Sequence, residues 1–538
     1  MGTLGKVRAP TCSMPASRRP SPPTLPRVNI TYLTCPPPGL SACAGLALTV
    51  LYWVIGQIIL MAYCLMVDCV TSIPFVEGSS KLILASGASP SDEFKVVTGT
   101  TSLLLQAAKG NVAAGLAVGG DMVSMAIIIA SPIIVGYSIV AWIIYVTVCL
   151  MIIMPLLFLY IEHVVLRSSI MTLILKNESI GAATLLGSLK FVTALLLQSL
   201  YRTNCDLEAG HEYSACIDPG DKGTLGQKLG RIAAPQIFNV QSLIDLVLLL
   251  IVIIVAKGVY YLRFRLRKDG ANFSLDATLA DPKNDAIAVS LAAYAFAQGL
   301  CVVGAAYCPN QDLPFHFANI VAWTAFGCLL VYLASLVNDW ILMHGVSNTA
   351  KLLENNGAVA VFEGGSFIAC GLILRANLLG SGNDTTQADY GRGLGVISVF
   401  WLVCQGILLA FAYTYRLITS FDDHAELAEG NIAAGFSGGI TLIALALVMS
   451  YPLSYYISLI IFLPISIVGA LALVFSRVVV DRLLLPGDSL DHEIKVDKNW
   501  GAALVEGMVA LGVAWICNMF VPTPGNPMTD DLICPAYD

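Results

Sequence analysis

The chain has 538 residues, 57% of them hydrophobic and only 12% charged, whereas soluble globular proteins carry about a quarter charged residues. The net charge of −7 at pH 7 is spread over short segments with no long basic run, which removes nucleic acid from the ligand classes. A polytopic transmembrane protein of the all-α class is what such a composition describes.

In chain order, residues 1–46 are rich in Pro, Ser and Thr, contain Lys6, Arg8, Arg18, Arg19 and Arg27, and have no acidic residue before Asp68. This segment reads as a disordered tail or an organelle transit peptide, and it lacks the apolar core of a secretory signal. Beyond it, apolar stretches of bilayer-spanning length predict about twelve spans, at 47–69, 111–132, 137–161, 179–199, 243–263, 285–306, 318–338, 356–377, 394–415, 431–451, 454–476 and 500–521.

Every second span opens with the same cassette: a polar cap, then a helix with small residues four and eight positions later. The caps are Asn111, Ser179, Asn284, Asn356, Asn431 and Asn499. The small pairs are Gly115/Gly119, Ala183/Gly187, Ala288/Ala292, Ala360/Gly364, Gly435/Gly439 and Ala503/Gly507. Asn and Ser accept hydrogen bonds from the free amides of a helix N-terminus. Small residues four apart make a flat stripe against which another helix lies close, the main packing device within lipid. Paired caps lie 68, 72 and 68 residues apart, so the unit is a four-helix module holding two cassettes. The expected layout is module 1 at 47–199, a loop at 200–242, module 2 at 243–377, a loop at 378–393, module 3 at 394–521 and a tail at 522–538.

Loops leading into cassettes carry Lys81, Lys95, Lys109, Arg167, Lys176, Arg265, Arg267, Lys268, Lys283, Lys351, Arg416, Arg477, Arg482, Lys495 and Lys498, and the opposite loops only Arg202, Lys222, Lys228, Arg231 and Arg392. By the positive-inside rule the caps face the cytoplasm or its topological equivalent. Cys205 and Cys216 fall on the far side, where an oxidising environment suits a disulfide between them. Arg263, Arg265, Arg267 and Lys268 form a basic juxtamembrane group suited to anionic lipid. The host membrane is plasma or endomembrane, or an organelle's if residues 1–46 are a transit peptide.

Residues 416–521 carry a more specific signal. RLITSFDDHAELAEGNIAAGFSGG is followed by an apolar hairpin and then by LDHEIKVDKNWGAALVEGMVALG. This order of acidic amphipathic segment, Asn, Ala-rich helix with Gly and then a second copy resembles bacterial YjfL-type inner-membrane proteins, the domain-of-unknown-function family 350. Residues 264–377 resemble the same pattern with Glu354 and Asn356 in place, and 99–199 match it with Ser179 in place of Asn. The resemblance implies three tandem four-helix membrane modules and no particular reaction.

Four charged residues sit seven to eleven positions into cassette helices: Asp121, Lys190, Glu363 and Glu506, at offsets of ten, eleven, seven and seven from their caps. Offsets seven and eleven share the small-residue face, and ten lies at its edge. Two readings stand. Charges within spans mark ion or proton paths, and Glu363 and Glu506 occupy equivalent positions while module 1 has Leu186 there. Alternatively, offset seven is only about 10 Å below the cap, where a carboxylate reaches interfacial water or a neighbouring hydroxyl. No Walker loop, dinucleotide fingerprint, nucleophile–base pair or zinc-ligand spacing appears, and the six histidines read as loop residues. No enzymatic activity, cofactor or metal is expected. The functional expectation is a transporter or channel for a small ion or proton, or else a scaffold or membrane-maintenance protein organising partners or lipids.

Overall fold

The computed structural model describes residues 103–135, 139–209, 240–266, 273–281, 284–306, 313–344, 347–382, 390–455, 458–484 and 489–521. The described residues all fall within one compact unit, with no division between the expected modules. The span at 47–69, the tail at 1–46, Cys216, Arg267 and Lys268 lie outside the described residues, as does the side chain of Cys205, whose backbone belongs to a helix running on to Ala209.

Eleven described helices are long and apolar enough to cross a membrane. They are α1 (Val112–Val135), α2 (139–166), α3 (Ile180–Ala209), α4 (Val240–Arg265), α5 (Asp285–Ala305), α6 (Leu313–Val337), α7 (Gly357–Gly382), α8 (Tyr390–Ile418), α9 (Ile432–Tyr455), α10 (Leu459–Val479) and α11 (Trp500–Met519). Helices α1, α3, α5, α7, α9 and α11 are the six cassettes. The five most extensive helix–helix interfaces join them in sequence, α1 to α3, α3 to α5, α5 to α7, α7 to α9 and α9 to α11. They form a single contiguous row that crosses both module boundaries. Helices α2, α4, α6, α8 and α10 flank it and bury only 28–44% of their apolar windows, whereas α5 at the middle of the row buries 94%.

The small residues explain how the row closes. A methyl group at Gly365 would sit 2.5 Å from the Gly439 Cα, one at Gly120 2.7 Å from the Gly187 Cα, and one at Gly435 2.3 Å from the Ala358 carbonyl oxygen. Gly364, Gly439 and Gly507 are likewise crowded by Ala293, Val361 and Ile440. Gly115 and Gly119 differ from expectation: nothing described lies within 4 Å of a methyl group there, and their neighbour Gly120 makes the α1–α3 contact instead. The helix turns its tightest approach one residue past the expected stripe.

Caps complete the row at its polar end. Each described cassette start follows a short helix or turn, and a residue in the left-handed region precedes five of the caps: Gly110, Glu178, Asn355, Gly430 and Lys498. That conformation ends the short helix, and the next residue caps the long one. Asn111, Ser179, Asn356, Asn431 and Asn499 accept from amides two or three residues on. Three of these caps also donate to the segment that leads into the following cassette: Asn111 to the Ile174 carbonyl (3.0 Å), Asn356 to Leu427 (2.8 Å) and Asn431 to Ile494 (2.8 Å). Ser179 donates to Asp285 across the first module boundary (2.7 Å). Asn284 departs from the pattern: it makes no capping bond with its side chain, and Asn355 from the next cassette accepts from the Ala286 amide instead (3.0 Å). Every neighbouring pair of cassettes is thus joined by a hydrogen bond near the caps.

Gly365→Ala is expected to cost about 1–3 kcal/mol by overpacking, read as a lowered unfolding midpoint in detergent. Gly512→Ala, where a methyl group meets nothing within 4 Å, is expected to cause no loss. Equal effects at both positions would contradict the close approach of α7 and α9.

Candidate functional site

Seven residues after its cap, Glu506 is carried two turns into the row on α11. It is 3% exposed, so its charge needs a partner within the protein. Arg477 of α10 supplies it: one terminal nitrogen donates to Glu506 and to the Tyr415 hydroxyl, and the other to Asp491 (2.5 Å). Ser437 donates to the second Glu506 oxygen (2.6 Å), and the Tyr415 hydroxyl, on α8, donates to the first. The guanidinium also lies over the Tyr415 ring, 4.7 Å from its centroid. Asp491 belongs to the short helix Leu490–Lys495 and accepts from the Ser420 amide (2.8 Å), which ties the connecting segments to the triad.

Module 2 builds the same chemistry from different positions. Glu363 on α7, 1% exposed, receives Arg263 of α4 and the Ser290 hydroxyl of α5. Arg263 also binds Asp339 (2.7 Å), and Asn348 donates to Asp339 (2.8 Å) and more loosely to Glu363 (3.4 Å). Ser290 and Ser437 both lie six residues after a cap, as Glu363 and Glu506 both lie seven. The arginine and second acid are not equivalent. Arg263 ends the first helix of its module, whereas Arg477 sits near the end of the third. Each triad sets one arginine against two carboxyl groups, Glu363 and Asp339 in module 2 and Glu506 and Asp491 in module 3, a formal net charge of −1; Asp491 is the least buried of the four, 20% exposed at its side chain.

Module 1 has neither half of this arrangement, with Ala117 and Leu186 at the corresponding positions. In their place Lys190 bonds Asp121 (2.5 Å), about a turn deeper, with both side chains under 10% exposed. That pair is neutral.

The surroundings of Arg263 and Arg477 correct the sequence reading. Arg263, grouped there with Arg265, Arg267 and Lys268 as a lipid contact, turns inward and is 7% exposed at its side chain; Arg265 remains at the surface beside Tyr261. Arg477, counted among loop charges, belongs to α10 and is buried. His316, read as a loop residue, lies in α6, 1% exposed, and bonds Asp245 of α4 (2.9 Å). It does so near the helix ends opposite the caps. The acids two residues before the caps point outward: Glu354 pairs with Lys351 (2.9 Å) and Asp497 approaches His492 (3.6 Å). No cluster with metal-ligand chemistry occurs among the described residues.

A narrow crevice between modules 2 and 3 reaches Tyr415 and Ser437, the hydroxyl partners of Glu506. It is about 40 Å³ and is lined by Tyr415, Ser437, Arg416, Asp423 and His424 among others. Asp423 lies outside the spans in the short helix Asp423–Glu429. Burial pushes its carboxyl up to about 6, against the opposing pull of Arg477 and Arg416, with Asp422 and Asp491 adding to the rise. His424, bonded to the Leu342 carbonyl (2.9 Å), is held below its ordinary value by desolvation.

The family described as Domain of Unknown Function (DUF350) matches the chain three times, at residues 94–200, 236–378 and 389–521. No curated protein and no solved structure matches it.

Breaking a buried ion pair by removing one partner costs about 3–5 kcal/mol, whereas replacing both by apolar side chains is often near neutral. Lys190→Met is therefore expected to lower the unfolding midpoint sharply, and Asp121→Leu combined with Lys190→Met to recover most of the loss. A double variant no more stable than the single would contradict a direct pair.

Proposed function

The chain belongs to the DUF350 family, whose description names no reaction, and from the site itself we propose that it conducts a proton or a small monovalent cation across the membrane through the Glu363 and Glu506 triads. The observation that carries this reading is the charge imbalance. In both modules a buried glutamate and a neighbouring aspartate share a single guanidinium, and the excess negative charge favours gain of a proton or cation at that depth. Ser290 and Ser437 add hydroxyl oxygens, which a proton or a dehydrated cation uses as readily as a carboxylate does. The neutral Asp121–Lys190 pair supports no such role for module 1, which serves as a structural end of the row.

The crevice at Tyr415 and Ser437 supports entry from the cap side, with Asp423 at its wall. Above about pH 6 that carboxylate is charged and attracts cations; below it the charge is lost. No enzymatic step is part of this reading.

A second reading, a scaffold that organises partners or lipids, draws support from the cap-to-cap hydrogen bonds. A row stapled across both module boundaries has no obvious seam along which halves could rock.

In proteoliposomes, Glu363→Gln with Glu506→Gln is expected to reduce proton or cation flux at least about tenfold, the consequence of losing roughly 1.4 kcal/mol of site stabilisation. Flux of the unaltered protein is expected to rise with pH through about 6, and Asp423→Asn to flatten that rise. The sign for stability is opposite. An acid whose folded value is raised binds its proton more readily when folded, so stability falls as pH climbs from about 4 to about 6. Equal flux in wild type and the double variant rejects conduction by the triads and leaves the scaffold.

A further inference from the structure

Beside Arg263 of the module 2 triad, residues of α4, α5 and α6 line a crevice of about 440 Å³, within the roughly 300–1,000 Å³ range of small-molecule sites. Val252, Val255 and Val259 of α4 and Ala325 and Leu329 of α6 form apolar walls. Val255 and Leu329 are 52% and 51% exposed. Because both belong to membrane-spanning helices, the crevice opens sideways toward acyl chains.

Its polar lining is unusual for a lipid-facing cleft. Arg263, Tyr294 and Gln298 all border it, and Tyr294 and Gln298 are each 3% exposed. Arg263 Nε and Nη1 and Gln298 Oε1 are buried without a hydrogen-bond partner among the described residues, and the Tyr294 hydroxyl lies within hydrogen-bonding reach of the Gln298 side chain. The Gln298 amide is oriented by donation to the Cys328 carbonyl (3.3 Å), which leaves its oxygen as the acceptor in question. Buried polar atoms left unpaired are destabilising, because each has given up its bonds to water without replacement. Two free guanidinium donors and a free amide oxygen, with the Tyr294 hydroxyl beside them, therefore describe the complement of a ligand along one crevice.

The charge of that ligand follows from Arg263. Its guanidinium already answers Asp339 and Glu363, so an anionic head would place a third negative charge beside one positive group. An uncharged head with carbonyl oxygens and a hydroxyl fits better: carbonyls accept from the guanidinium and from Tyr294, and the hydroxyl donates to Gln298.

We propose that this crevice binds a neutral glycerolipid, the chemistry of a diacylglycerol, with its ester carbonyls and free hydroxyl at Arg263, Tyr294 and Gln298 and an acyl chain along the α4–α6 walls. The proposal stands on this crevice and not on conduction by the triads. The site lies within the leaflet on the side of the caps, since Arg263 ends α4 there.

The test uses the full chain in nanodiscs with a diacylglycerol carrying a diazirine in one acyl chain, and mass spectrometry of the labelled peptides. Saturable labelling is expected within 252–266 and 325–332, outcompeted by unlabelled diacylglycerol but about tenfold less well by phosphatidic acid. Gln298→Leu is expected to weaken competition by about tenfold, the effect of one lost hydrogen bond in a dry site. Val255→Phe and Ala325→Trp, at partly exposed wall positions, are expected to abolish labelling while the unfolding midpoint stays unchanged. Labelling spread evenly over the outer faces of α8 and α10, labelling indifferent to either wall variant, unchanged competition in Gln298→Leu, or phosphatidic acid competing equally well would each overturn the assignment.

Discussion

Within the bilayer no water satisfies a backbone group or a charge, and helices gain little from burying one apolar side chain against another rather than against lipid. The backbones of this protein must therefore approach closely or not pack at all. Gly365 against Gly439 and Gly120 against Gly187 are where that requirement is met. The rest follows from it. Six helices with such surfaces can each take a neighbour on two sides, and the result is a row in which α5 is sequestered from lipid almost completely. The row in turn provides the dry setting in which Glu363 and Glu506 require arginines.

The caps add register to proximity. An asparagine has one oxygen and one amide nitrogen, and here the two are used in different directions. In Asn111, Asn356 and Asn431 the oxygen closes the helix that it begins, while the nitrogen reaches the carbonyl ahead of the next cassette. The same small side chain thus sets where a helix starts and how deep its neighbour sits. Ser179 has a single hydroxyl, and it is joined to the next cassette through Asp285 instead. With depths set in this way, a residue six positions along one cassette meets a residue seven positions along the next, which is the Ser290–Glu363 and Ser437–Glu506 contact.

Much of this is legible in the sequence alone. Period, cap and small-residue spacing identify the helices and, in every cassette but α1, their inward faces, because those features act locally and repeat. The charged partners were not legible, and the reason is geometric. Arg263 and Arg477 sit at the ends of apolar runs, where a long side chain ordinarily reaches outward to water; only the three-dimensional neighbourhood of Glu363 and Glu506 turns them inward. Moreover, the two arginines come from different helices of their modules, so comparing the repeats does not align them. Ser290 and Ser437 did carry a signal, a serine six residues after the cap in the first cassette of modules 2 and 3, but serine is tolerated in such helices without any partner. The row itself was obscured by the repeat: a threefold repeat suggests three bundles, whereas the α7–α9 contact across a module boundary is as intimate as any within one. His316 was missed because it lies just inside α6 rather than in the loop before it.

The most direct measurement of this arrangement is cysteine cross-linking across the boundary between modules 2 and 3. Gly357 and Ile432 begin adjacent cassettes, and a methyl group at Gly357 would lie 3.5 Å from the Ile432 side chain. In a background lacking the native cysteines, Gly357→Cys and Ile432→Cys are expected to form a disulfide rapidly, so that fragments cut at a protease site inserted within 383–389 stay joined until reduced. Fragments that separate without reduction, under conditions that link a pair within one module, would contradict a continuous row.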